Sequence, residues 1–190
     1  PYGAFRAAAE KHGEFGLLHF DAHSDMRVAY EGFTWSHASI MYNAMKNIPQ
    51  ISRITSVGIR DFCEQEHELT LSLGPRAKVF LDRDRTNRRF AGEPWTKSAG
   101  EIAASLPPQV WITFDIDGLD PKLCPHTGTP VPGGLEFAEA VHLIELVARS
   151  GRKIIGFDLV EVSPSPRGKD EWDANVGMRL LYKLIALTFV

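Results

Sequence analysis

Apolar residues along this chain follow two alternating patterns. Short runs with few polar residues occur at 16–20, 54–59, 78–81, 110–114 and 153–160. Runs of that length, bounded by turn formers, read as buried strands. Between them, apolar residues recur every three or four positions. The stretch 37–46 places Ile40, Met41, Ala44 and Met45 on one face of a helix. Further helices are expected at about 64–73, 97–105, 136–149 and 172–188, the last with Asp170 as its cap. Residues 2–12 read as a helix ended by Gly13. Residues 26–36 and the Gly- and Pro-rich 118–134 read as loops. Residues 82–96, with Arg83, Arg85, Arg88 and Arg89, show neither period and are expected to be an irregular, solvated excursion.

Strand and helix alternating at this spacing predict an α/β fold: three layers, α/β/α, around a mostly parallel sheet. The 190 residues suit one domain, 1–190. The chain opens on Pro1-Tyr2-Gly3, with no initiating Met and no secretory signal, directly into a helix. The expectation is a piece whose N-terminal part lies outside this sequence. A formal net charge of -3 gives no attraction to nucleic acid or an anionic membrane. No apolar run approaches the ~20 residues of a membrane span. Cys63 and Cys124 stand far apart without a framework, which suits a reducing compartment and a cytoplasmic location.

The chemistry gathers where strands end, the place at which parallel sheets bind ligands. The run Leu17-Leu18-His19-Phe20 finishes in Asp21-Ala22-His23-Ser24-Asp25. In an extended chain, residues at i, i+2 and i+4 point to one side, so Asp21, His23 and Asp25 are expected to converge. A second apolar strand runs into Phe114-Asp115-Ile116-Asp117-Gly118-Leu119-Asp120-Pro121. Asp115 and Asp117 would share a face, and Asp120 before proline reads as a turn residue. Crowded buried carboxylates repel unless a cation compensates them. Four carboxylates and an imidazole suit a hard or borderline divalent ion such as Mn2+.

Three segments together resemble the signatures of the ureohydrolases, the family of arginase, agmatinase and formimidoylglutamase. They are Phe20-Asp21-Ala22-His23-Ser24-Asp25, Phe114 to Pro121, and Val160-Glu161-Val162-Ser163-Pro164, with Thr127-Gly128-Thr129-Pro130 between the last two. The resemblance implies an arginase/deacetylase-like fold and two Mn2+ per complete site. Asp21 and Asp115 would bridge the ions, Asp25 would hold the first, and His23 and Asp117 the second. A hydroxide shared between the ions would be the nucleophile. Glu161 would bind the guanidinium through paired hydrogen bonds. His37 would protonate the leaving amine, and Thr129 would line the pocket. A small guanidino substrate and a homo-oligomer, trimer or hexamer, are implied as well.

The family's remaining metal ligand is a histidine in a segment preceding the helix that opens this chain, and no such segment occurs here. A weak first site and low activity of these 190 residues alone are therefore expected. Arg27 and Cys63 occupy places where arginases grip the amino-acid end of arginine, which argues against arginine itself. Agmatine fits His37. Asp25-Met26-Arg27 resembles formimidoylglutamase, in which an arginine would hold a substrate carboxylate. Three readings stay open: an agmatinase-type enzyme, a formimidoylglutamase or guanidino-acid hydrolase, and a metal-binding fragment without turnover. His126 has no assigned role, and His12, His67 and His142 read as ordinary helix residues.

Overall fold

A computed structural model describes residues 1–168 and 170–189. Five strands form one parallel sheet: β1 (Phe15–Phe20), β2 (Ile51–Ile59), β3 (Ala77–Leu81), β4 (Gln109–Asp115) and β5 (Lys153–Val160), in the order β3-β2-β1-β4-β5. Alternation along β1 shows why the sheet is covered on both faces. Phe15 and Leu17 join one apolar cluster, while Leu18 and Phe20 join the other. Each of these side chains is fully buried, contributing roughly 1.5–3 kcal/mol.

Helices α1 (Tyr2–His12) and α2 (Ile40–Asn47) cover the Phe15 face through Phe5, Met41, Ala44 and Met45. Helices α5 (Trp95–Ser105), α6 (Phe137–Arg149) and α7 (Trp172–Thr188) cover the other, through Ile102, Leu143, Ile144 and Leu180 among others. Helix α3 (Glu64–Ser72) and helix α4 (Asp82–Phe90) flank β3. The three-layer α/β/α expectation holds.

Four local expectations need correction. Residues 82–90 are helical, and the arginines are not all solvated: the Arg85 side chain is 9% exposed. Asp82 and Asp84 sit in the first turn of α4 and Arg88 and Arg89 in the last. That arrangement is favourable to the helix dipole, and ion pairs supply stabilisation that an apolar period does not show. Arg85 pairs with Asp82 at 2.6 Å and with Glu139 at 2.8 Å. Helix α5 opens at Trp95, ahead of residue 97, anchored by its indole N–H on the Glu139 carbonyl at 3.1 Å. Residues His37–Ser39 form a 3-10 turn ahead of α2. The residue capping α7 is Glu171; Asp170, one position earlier, accepts from the Trp172 amide at 3.2 Å.

The strand order places the site. From β1 the chain winds outward through β2 and β3, then returns to the other side of β1 with β4 and β5. The reversal opens a crevice at the carboxyl ends of β1 and β4.

Candidate metal centre and substrate cleft

Phe20 of β1 and Phe114 of β4 are register partners with stacked rings 4.4 Å apart. Asp21 and Asp115 therefore emerge side by side. Gly118 lets the two strand ends approach: a Cβ there would lie 2.8 Å from the Asp21 amide nitrogen. Arg60, just past β2, ties the loop after β4 down through the carbonyls of Asp117 (2.8 Å), Leu119 (3.2 Å) and Val131 (2.8 Å).

The acids converge, but not by the extended geometry expected from their spacing. Instead β1 stops at Phe20 and the chain curls. His23 makes an isolated bridge with Asp61, and Asp25 adopts φ 55°. Asp117 lies in a 3-10 turn, Ile116–Gly118, which Asp115 caps by accepting the Asp117 amide at 2.9 Å.

Two groups result, joined at Asp21. Asp21, His23 and Asp117 form one: the His23 Nδ1 lies 3.3 Å from Asp21 Oδ1 and 3.1 Å from Asp117 Oδ2. The other is His19, Asp21 and Asp25. Asp115 lines the same cleft. Ligating atoms within each group lie within 4.8 Å of one another, a spacing that a shared cation suits.

The electrostatics favour a cation. Burial, then the charges of Asp21 and Asp117, push the Asp115 carboxyl up to about 10. Burial and the Asp21 charge likewise hold Asp25 well above its ordinary range. Burial opposes ionisation of Asp21 too, but hydrogen bonds from His19 and His23 override it and keep its pKa low. His23 shows the reverse: burial opposes its charge, yet Asp117 and Asp21 push it up to about 11. The cluster thus draws protons in place of metal charge, and the donor set of carboxylates and imidazole fits hard or borderline divalent ions.

Sequence reasoning missed His19 and Arg60. His19 is 1% exposed, its Nε2 2.9 Å from Asp21 Oδ2 and its Nδ1 3.2 Å from Ser56 Oγ. A polar ring in a strand buried at every position was the available signal. Arg60 gave none, because its partners are carbonyls distant in sequence.

The groups floor an open cleft of about 380 Å³ whose walls include Arg27, Tyr30, His37, Thr129 and Glu161. His37 stands edge-on to Tyr30, ring centres 5.4 Å apart. The Arg27 guanidinium lies over the same ring at 5.1 Å and 3.6 Å from Glu66. Thr129 Oγ1 donates to Asp117 Oδ2 at 3.4 Å. Glu161 leaves β5 at φ 61°, a conformation unusual for a non-glycine residue. Cys63 caps α3, its amide donating to Glu66 at 2.9 Å. Asp120 forms the expected turn, accepting from the Lys122 amide at 3.0 Å. His12, His67 and His142 lie in α1, α3 and α6. His126 pairs with Asp173. Among the described residues, no helix is long and apolar enough to cross a membrane.

The chain is similar to known proteins along nearly its whole length. A family model described as the arginase family matches residues 1–186. The chain is 36% identical over 183 residues to N(1)-aminopropylagmatine ureohydrolase of Thermus thermophilus, covering 96% of this chain and 57% of that protein. It is 32% identical over 190 residues to guanidinobutyrase of Pseudomonas aeruginosa, covering 96% and 55%. Among solved structures, proclavaminate amidino hydrolase from Streptomyces clavuligerus superposes with a TM-score of 0.81 at 27% identity, over 98% of this chain and 59% of that one. The chain thus spans little more than half the length of the relatives it matches.

Proposed function

The chain belongs to the arginase family, and we propose that it carries the catalytic core of an amidinohydrolase releasing urea from a guanidino compound, agmatine first. The observation that carries this reading is Asp21 shared by two ligand groups on the floor of a cleft whose wall presents Glu161. Asp21 and Asp115 would bridge two Mn2+, with Asp25 on one ion and His23 and Asp117 on the other. When bound, the ions supply Lewis acidity and a hydroxide at neutral pH. Glu161 would hold the guanidinium by paired hydrogen bonds, its planar charge matched to a planar cation. His37 would hand a proton to the departing amine as the C–N bond breaks. Thr129 would steady Asp117 beside the substrate. His19, bonded between Ser56 and Asp21, orients the bridging carboxylate. A homo-oligomer, trimer or hexamer, and a cytoplasmic location belong to the same proposal.

Arg27 supports a second reading. Its guanidinium is partly exposed in the cleft, and a cation there suits a substrate with a carboxylate at its far end. A relative named guanidinobutyrase accords with a guanidino acid. Glu66 and the Tyr30 ring already hold Arg27, which softens its repulsion of agmatine.

The deciding experiment is metal content per chain with urea release from agmatine and from 4-guanidinobutyrate, after purification with manganese. Two ions and urea support the proposal, and the preferred substrate separates the readings. One ion or none, without urea from either compound, marks these 190 residues as an incomplete core by themselves; the same result from a longer chain that supplies the remaining histidine ligand overturns the proposal. Glu161→Gln should lower kcat/KM by about 10–100-fold with metal content unchanged, the cost of charged hydrogen bonds.

A further inference from the structure

We propose that His126 and Asp173 act as a positioning pair for the guanidinium grip, a role that rests on the functional reading above. Asp173 lies in the first turn of α7 and is 1% exposed. Its two oxygens take two groups of one residue: the His126 backbone amide at 2.9 Å and the His126 Nδ1 at 2.7 Å. A buried carboxylate in the first turn of a helix has its charge favoured by the helix dipole, which makes it a firm anchor.

His126 opens the run that reaches the cleft. Thr127, 5% exposed, donates from Oγ1 to the Glu161 carbonyl at 3.0 Å, and Thr129 donates to Asp117. The continuous path is therefore Asp173, His126, Thr127, Glu161. Its far end needs such support. Glu161 sits at φ 61°, a conformation that persists only when its surroundings over-determine it. The proposed grip calls for this carboxylate in one orientation. The pair fastens the start of α7 to the loop that holds the Glu161 backbone. His126 and Asp173 do not line the cleft and lie outside the two groups joined at Asp21, clustering with Asp170 instead, so they are positioning rather than catalytic residues.

The test compares His126→Ala, His126→Asn and the unaltered chain, each reconstituted with manganese. Asn keeps an N–H that can reach Asp173. In His126→Ala, amide exchange at 127–129 and at Glu161 should quicken by about tenfold, the loss of one charge-assisted bond. The dissociation constant for agmatine should rise by a similar factor while metal content stays constant, and His126→Asn should recover most of both. Exchange and affinity unchanged in His126→Ala would overturn the proposal. So would parallel loss of metal and agmatine binding, which marks general loosening. If the unaltered chain binds no agmatine, the functional reading fails, and exchange at 127–129 and Glu161 alone decides whether the pair holds the loop.

Discussion

Two strands of this sheet end in the same short pattern, and the chain treats them in opposite ways. After β3 comes Asp82-Arg83-Asp84; β4 finishes in Asp115-Ile116-Asp117. Asp82 and Asp115 are buried to similar degrees. Asp82 accepts two hydrogen bonds from Arg85, which also reaches Glu139 and the Gly134 carbonyl. Asp115 meets Asp21 and Asp117, and its carboxyl is pushed up to about 10. An acid-x-acid pattern after a strand, its first acid buried, thus says little by itself. What distinguishes the two is whether the fold builds in the neutralising cation or leaves the place to one from solution.

The largest expected effect breaks that comparison directly. Asp115→Asn should reduce the manganese bound per chain and lower turnover by on the order of 10³ or more, since the lost charge would stabilise the reacting centre. Asp82→Asn should leave metal content intact and destabilise the chain by about 2 kcal/mol, the cost of weakening a charged hydrogen-bond pair. Elemental analysis and urea unfolding read the two outcomes. Loss of metal in Asp82→Asn as complete as in Asp115→Asn would erase the distinction.

The same contrast explains what could be read from the sequence. The β1 and β4 acids stood out because apolar runs ending in charge are rare, and the helix–strand alternation gave the layers and the parallel sheet. The stretch 82–96 misled because the stabilisation of α4 comes from Asp82, Arg85 and Glu139, partners that an apolar period does not register. His19 was visible as a polar residue within β1, but its partner Ser56 is on β2 and known only once β1 and β2 pair. The curl that brings Asp25 and Asp117 inward depends on turns, whereas the spacing had suggested extended chain. Arg60 binds carbonyls supplied by loops far along the chain, so its clamp exists only in three dimensions.

A glycine pair sharpens the comparison at intermediate size. Gly118→Ala would drive a Cβ to 2.8 Å from the Asp21 amide nitrogen. Because that neighbour is backbone, the two strand ends must separate, and with them the carboxylates of Asp21 and Asp115 proposed to hold the ions. Manganese affinity should fall by about 10–100-fold, the range for changes that misplace ligands without removing them. Gly100→Ala, inside α5 with nothing within 4 Å of the added carbon, should instead stabilise by about 0.5–1 kcal/mol. Calorimetric titration of manganese separates the two, and equal affinities would show that close approach at Gly118 is dispensable.

The smallest effect is a pH dependence confined to the β1–β4 end. In the metal-free chain Asp115 is raised from 3.8 to about 10 and His23 from 6.5 to about 11. Both folded values lie above the unfolded ones, so the native state holds the extra protons. Their stabilisation is complete below the unfolded values and is lost as pH rises through the folded ones. The metal-free melting temperature should therefore fall as pH rises from about 4 towards about 10, by roughly 2–4 °C for each kcal/mol lost in a chain of this size. Manganese needs the deprotonated ligands, so its binding expels those protons and its affinity should climb over the same interval. The melting curves with and without manganese should then diverge as pH increases. Titrations in buffers of different ionisation enthalpy would count the protons released. A count of zero, or curves that stay parallel, would mean that the β1–β4 acids are neutralised from within the chain, as Asp82 is.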